Sequence, residues 1–138
     1  MSKRRDFLML AGMPGMAALA ATSSAPKIPS MVFDRAGTKL TRETFGDLRI
    51  YCSGPTDQLQ SMTAGSLLLN PGMSPHAPHR HEEEEFMVIT EGKGEIVVEG
   101  KKTKVGPGSM MYSAANKTHG IVNTGNTPLL FYFYKWKA

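Results

Sequence analysis

Three of the four histidines in this 138-residue chain lie in one short stretch, residues 72–92, together with a run of glutamates. His79 and His81 are two residues apart, and residues two apart on an extended strand point to the same side. Glu85 keeps this parity, so two imidazoles and a carboxylate could face a single point. Such ligands suit Zn, Fe, Mn, Ni or Cu. The stretch therefore predicts a metal site, and the alternative is a solvated acidic edge formed by residues 82–85.

The same stretch resembles the first motif of the cupins, in which a glycine precedes an HxH pair, a glutamate and a second glycine. In this sequence those positions are Gly72, His79, His81, Glu85 and Gly92. Six residues separate the first glycine from the HxH pair, three separate the pair from the glutamate, and six more precede the second glycine.

A second stretch resembles the other cupin motif. Gly108 is followed after ten residues by His119 and after three more by Asn123. Ser109 and Ala114 stand where the family commonly has an acidic residue and a proline, and both are turn or scaffold positions. The resemblance therefore implies that His119 is the fourth ligand of a site with three histidines and one glutamate.

The resemblance implies an all-β fold, a cupin-type jelly-roll β-barrel (double-stranded β-helix), with one divalent transition metal per chain. We favour Fe or Mn, with Ni, Zn and Cu as alternatives, because five or six coordination positions leave room for water, oxygen or substrate beside the protein ligands. Glu85 is the candidate catalytic residue, a ligand first and a proton acceptor only when it can swing away from the metal.

In this family, a site of this kind serves oxygen-using dioxygenases. The expected function is therefore a metal-dependent, dioxygenase-like reaction on a small organic molecule. A non-catalytic module that binds a small ligand or a metal is one alternative, and a cupin isomerase or decarboxylase is another, because fold and ligand set do not separate these activities.

Three residues near the motifs have weaker assignments. His76 lies on the loop before the HxH pair and is expected at the rim of the pocket rather than among the ligands. Met87 shares the parity of Glu85 and is expected to line the cavity, as gap-filling core rather than as a copper ligand. Tyr112 is a candidate donor to a bound substrate, with a core or rim position as the alternative.

The beginning of the chain has the pattern of a secretory signal: a basic start, an apolar middle and a string of small residues. Arg4 and Arg5 precede an x-Phe-Leu sequence, which resembles the twin-arginine export signal. Gly12 and Pro14 interrupt the apolar run, which is shorter than the roughly 20 residues that a membrane span needs. Residues 1–20 are therefore predicted to be a signal peptide, cleaved between Ala20 and Ala25, and the mature protein is expected in the periplasm without a membrane span.

Charge and composition argue against other classes of function and structure. Removal of residues 1–20 takes away three positive charges and one negative charge, so the formal net charge falls from +4 to +2. The remaining lysines lack interleaved aromatic residues, which argues against nucleic-acid binding. Cys52 is the only cysteine, so an internal disulfide is excluded, and it is expected to be a small core residue.

The rest of the chain reads as one domain of short strands. Residues 21–44 are predicted to be a linker with an edge strand at Met31–Phe33, and residues 45–138 the barrel. The last strand alternates in a period of two, with an aromatic face formed by Tyr132, Tyr134 and Trp136. That face exceeds what one small barrel needs inside, so a homodimer through this edge is a further hypothesis.

Overall fold

The computed structural model describes residues 25–138, and the predicted signal peptide, residues 1–20, lies outside them. Apart from a short 3-10 turn at Arg35–Gly37, the regular elements of this part of the chain are nine β-strands. Among these residues, no helix has the length and apolarity that a membrane span requires. The strands are β1 (Lys39–Glu43), β2 (Gly46–Gly54), β3 (Ser61–Leu69), β4 (Glu84–Glu91), β5 (Gly94–Val98), β6 (Lys101–Val105), β7 (Met110–Ser113), β8 (His119–Asn123) and β9 (Leu129–Lys137).

The strands form two antiparallel sheets. The larger sheet has six strands in the order β1-β2-β3-β9-β4-β7, and the smaller has three in the order β6-β5-β8. Strands β4 and β5 are consecutive in sequence but belong to different sheets, so the short turn between them connects the two layers. The all-β, double-sheet fold predicted from the sequence is confirmed.

The hydrophobic core consists of residues that alternate along the strands, because every second side chain of a strand points to the same face. In β4, for example, Met87 and Ile89 are buried and Val88 between them is more exposed. Both sheets contribute to this core, which is formed by Leu67, Leu69, Met87, Ile89, Ile96, Met111, Ile121, Leu129 and Phe131.

One glycine and one asparagine fix the turns at the end of the barrel. Gly92, between β4 and β5, has φ = 85°, and a Cβ there would lie 2.5 Å from the Pro128 carbonyl oxygen, so the turn requires glycine. Asn123 is fully buried, and its Nδ2 donates to the carbonyl oxygens of Leu69 and Thr127, each at 2.9 Å. The asparagine of the second motif therefore holds three chain segments together.

The edge strand predicted at Met31–Phe33 is wrong. That segment belongs to no strand, and Met31 and Val32 are 57% and 90% exposed. The edge strand is β1, which pairs with β2 through a tight hairpin. Its residues are largely polar and exposed, so an apolar pattern could not reveal it, and backbone pairing with a neighbour is what makes it a strand.

The last strand, β9, is not an edge. It pairs with β3 on one side and with β4 on the other, so its backbone groups are used within the sheet. Tyr132 and Tyr134 lie on the face opposite to Phe131 and Phe133, in a shallow groove with Tyr51. The predicted use of β9 as an edge is therefore wrong, and homodimer formation stays a prediction. Cys52 on β2 is half-buried rather than a core residue, because its neighbours in the large sheet do not cover it fully.

Candidate metal centre

The predicted metal-binding residues come from three parts of the fold. Glu85 is on β4 in the large sheet, and its parity with Met87 turns its side chain inward. His119 begins β8 in the small sheet and is also buried. His79 and His81 lie in the loop between β3 and β4, which is extended locally but is not a regular strand. The site therefore lies between the two sheets.

Backbone hydrogen bonds fasten the loop to the small sheet. The N–H of His79 donates to the carbonyl oxygen of His119 at 3.0 Å, and the reciprocal bond is 2.9 Å long. Two residues further on, the carbonyl oxygen of His81 accepts from the N–H of Asn116 at 2.7 Å. The loop can lie against β8 because the residue after His119 is a glycine. A Cβ at Gly120 would be 3.1 Å from the Cα of Pro78 in the loop.

The three imidazoles converge on one point. The candidate ligand nitrogens of His79, His81 and His119 all lie within 4.8 Å of one another. Their ring centroids are 4.9 to 5.2 Å apart, and the planes are steeply inclined to one another. Oε1 of Glu85 lies 2.9 Å from Nε2 of His81 and 3.0 Å from Nε2 of His119. The structure thus brings the three predicted histidines together and places the fourth predicted ligand, Glu85, against two of them.

The hydrogen bonds behind the rings determine which nitrogens face the centre. Nδ1 of His119 lies 3.0 Å from the Lys117 carbonyl oxygen, and Nδ1 of His81 lies 3.0 Å from that of Glu83. A carbonyl oxygen only accepts, so each Nδ1 carries the hydrogen and a neutral ring presents the lone pair of Nε2. Both lone pairs then face one carboxylate oxygen, which requires protons or a cation between them. The donor set therefore fits a divalent metal ion.

The electrostatics of the metal-free site follow from the same contacts. Burial raises the pKa of Glu85, but hydrogen bonds from His119 and His81 outweigh it, and the pKa lies below its usual value. The bond to Glu85 raises the pKa of His119 above 6.5, although burial acts in the opposite direction. Burial, followed by the charge of His76, lowers the pKa of His79 to about 4. His79 is therefore neutral at physiological pH, as a metal ligand must be.

A cavity of about 190 Å³ opens beside the donor set. Its polar side consists of the four candidate ligands, with His76 and Lys135. Its other walls are mainly apolar and include Phe45, Leu48, Leu67, Met87, Ile121, Phe131 and Phe133. A metal ion held by these donors would therefore border a space that can hold a small molecule, which is typical of catalytic rather than structural sites.

Of the three weaker assignments made from the sequence, the structure confirms two and contradicts the third. Met87 lines the cavity, as predicted. His76 also lines it, outside the cluster of ligand nitrogens, with its ring centroid 3.7 Å from that of His79, so its predicted rim position is confirmed. Tyr112 is 52% exposed and its hydroxyl donates to Glu84 at 2.6 Å. Its assignment as a substrate donor is wrong, because its neighbour Met111 takes the inward position on β7.

Lys135 is the cavity residue that sequence reasoning did not connect with the site. The alternation of β9 places it on the same face as Phe131 and Phe133, and that alternation is the signal that could have found it. Which face of β9 points inward depends on the packing of the two sheets.

Solved structures share this fold. KdgF from a Halomonas species has a TM-score of 0.65 at 19% identity, covering 80% of this chain and 96% of that chain. The polyketide cyclase RemF from Streptomyces resistomycificus has a TM-score of 0.63 at 22% identity, covering 80% and 81%. A predicted oxalate decarboxylase from Thermotoga maritima has a TM-score of 0.61 at 22% identity, covering 78% and 100%. At these identities the likeness establishes the fold alone.

No curated protein matches this chain significantly. A family model described as the cupin domain matches residues 65–134, which is half of the chain. The matched residues run from β3 into β9 and include every candidate ligand, the cavity residues on β4 and β8, and Phe131 and Phe133 of β9. From this match, the double-sheet fold and the histidine cluster, the chain belongs to the cupin domain family.

Proposed function

We propose that this cupin is a metal-dependent enzyme that uses dioxygen to oxidise a small organic molecule. His79, His81, His119 and Glu85 would hold one divalent transition metal. The observation that carries the proposal is the convergence of three imidazoles, two of them in contact with Glu85, at the wall of a cavity, because a purely structural metal would be enclosed by its ligands.

Fe or Mn is favoured over Ni, Zn or Cu because a five- or six-coordinate ion keeps positions open for water, oxygen or substrate beside four protein ligands. The donors are three imidazole nitrogens and a carboxylate oxygen, and the only cysteine, Cys52, is not among them, so a thiolate site is excluded. When bound, such a metal supplies Lewis acidity and a redox couple for dioxygen.

The residues of the chain would prepare the site for this chemistry. The bonds from the two Nδ1 atoms to backbone carbonyl oxygens fix the orientation of the His81 and His119 rings. The apolar walls exclude water from the space that a substrate would occupy. Oε1 of Glu85 would accept a substrate proton when its carboxylate turns away from the imidazoles.

Metal content tests the first half of the proposal. Purified mature protein should contain one Fe or Mn per chain by elemental analysis, and His79→Ala and His119→Ala should lose most of it. His76→Ala is the matched control, because His76 contacts the cavity without belonging to the ligand cluster. Full metal content in both ligand variants would disprove the assignment of the site.

Oxygen uptake tests the second half. Protein loaded with Fe or Mn should consume oxygen with at least one member of a panel of flavonols and small diketones, and His119→Ala should not. Ligand binding without oxygen uptake would favour a non-catalytic module. Product formed without oxygen uptake would favour isomerase or decarboxylase chemistry.

We also propose that the protein is exported to the periplasm by the twin-arginine route. The support is the Arg4–Arg5 pair before an apolar, small-residue segment. Export of a folded protein would allow Fe or Mn to be captured in the cytoplasm, before the site meets periplasmic copper and zinc, which bind such ligands more tightly. Fractionation of cells that produce Arg4→Lys/Arg5→Lys should show retention of the precursor in the cytoplasm, whereas normal export would contradict the route.

A further inference from the structure

Lys135 brings a positively charged side chain to the wall of the cavity, where the polar side meets the apolar side. In the large sheet it lies opposite Glu85 of β4 and opposite Thr63 of β3. Strand alternation puts it on the inward face with Phe131 and Phe133, and all three line the cavity that borders the histidine cluster.

No carboxylate of residues 25–138 pairs with this lysine. The ion pairs of that part of the chain, which require a nitrogen and an oxygen within 4.0 Å, do not include Lys135. The carboxylate opposite, Glu85, is bound to His81 and His119 instead. By contrast, Lys137, two residues further along β9, pairs with Glu82 at the surface. Lys135 is partly buried, and a cationic side chain at a cavity wall without an acidic partner within 4.0 Å favours an anion brought by a ligand.

We propose that the cavity binds a small ligand with an apolar body and one carboxylate group, and that the ammonium group of Lys135 binds that carboxylate. Lys135 is thus a specificity-determining residue for an anionic substrate. This inference rests on the proposed function, because it assumes that the same cavity receives the substrate.

The surroundings of Lys135 agree with such a ligand. Phe131 and Phe133 on the same strand, together with the lining residues Phe45 and Leu48, provide an apolar surface for the body of the molecule. The volume of about 190 Å³ is below the roughly 300–1,000 Å³ of pockets for drug-sized ligands, so a single-ring acid is the appropriate size.

Calorimetric titration with benzoate and with its neutral analogue benzamide tests the proposal. The unmodified protein should bind benzoate about tenfold or more tightly than benzamide, because a hydrogen bond to a charged group adds that much affinity. Lys135→Met should reduce the ratio of the benzoate affinity to the benzamide affinity to about one, and Lys135→Arg should keep a preference for benzoate. Lys104→Met, on the exposed strand β6, removes the same charge and should leave the ratio unchanged.

Each titration should be carried out on metal-free and on metal-loaded protein. If the benzoate preference survives in Lys135→Met and disappears on metal removal, the carboxylate binds the metal and the proposal is wrong. Equal affinity for the two probes, or no binding of either, in the unmodified protein also overturns it. Because the metal-free preference does not depend on redox chemistry, this result is separate from the oxygen-uptake test of the proposed function.

Discussion

Nε2 of His119 lies 3.0 Å from Oε1 of Glu85, across the gap between the small and the large sheet. The two residues are 1% and 6% exposed. This pair is one of the points at which the two layers of the fold meet through polar groups, the bond from Asn123 to Leu69 being another. A metal ion bound there would link the two sheets, so metal binding at the site and the stability of the barrel are coupled.

Glu85→Gln should weaken metal binding by about tenfold or more, because the amide keeps the shape of the side chain but removes the charge that a divalent cation requires. Glu84→Gln is a matched control, since Glu84 is the preceding residue of β4 and its carboxylate accepts from Tyr112 on the opposite face. Competition with a metal-sensitive dye would give both affinities. Equal weakening in the two variants would mean that general charge, rather than coordination by Glu85, determines binding.

Metal affinity should decrease as the pH is lowered from 8 to 6. The pKa of His119 lies above 6.5 because of its bond to Glu85, so in this range a proton increasingly occupies the nitrogen that must bind the metal. His79, with a pKa of about 4, stays neutral throughout and adds no competition. Calorimetry in buffers of different ionisation enthalpy should detect proton release on metal binding near neutral pH. Affinity that is independent of pH would contradict the assigned role of His119.

Gly120→Val should displace the loop that bears His79 and weaken metal binding by about tenfold. A Cβ at this position would lie 3.1 Å from both Cα and Cγ of Pro78, and the added methyl groups need more room. Gly37→Val serves as the control, because no atom lies within 4 Å of a Cβ built there. Thermal unfolding separates the effects: loss of metal with a nearly unchanged metal-free Tm is expected, and unchanged affinity would show that the loop adapts.

Asn123→Ala should lower the free energy of unfolding by about 3 kcal/mol, because buried hydrogen-bond partners would be left without their bonds. The side chain donates to Leu69 and Thr127, and its Oδ1 accepts from the N–H of Gly125 at 2.9 Å. Asn126→Ala, in the exposed turn that follows, should change stability by less than about 0.5 kcal/mol. Chemical denaturation of both metal-free variants would measure the difference, and similar values would contradict a structural role for Asn123.

Several features could be predicted from local sequence because they depend on residues that are close in the chain. Apolar runs bounded by Gly, Pro and Asn predicted most strands, since alternation and turn chemistry are short-range properties. The first motif likewise predicted its ligands, although His79 and His81 reach the site from a loop rather than a strand. The edge strand β1 was not found, because its pairing with β2 leaves no apolar pattern.

Other features depend on which strands become neighbours. The alternation of β9 showed two faces, but only its position between β3 and β4 determines that Lys135 and Phe133 point into the cavity and that Tyr134 points away. The same applies to Tyr112, whose outward direction follows from the sheet in which β7 is placed.

The sequence by itself determined the strand pattern, the identity of the candidate ligands and, through resemblance, the family. Only the tertiary structure decided that Nε2 of His119 contacts Oε1 of Glu85, that a cavity opens beside them, and that Lys135, which forms no ion pair within residues 25–138, lines it. The physical reason is that periodicity is set by neighbouring residues, whereas the convergence of side chains from two sheets requires the packing of the whole core.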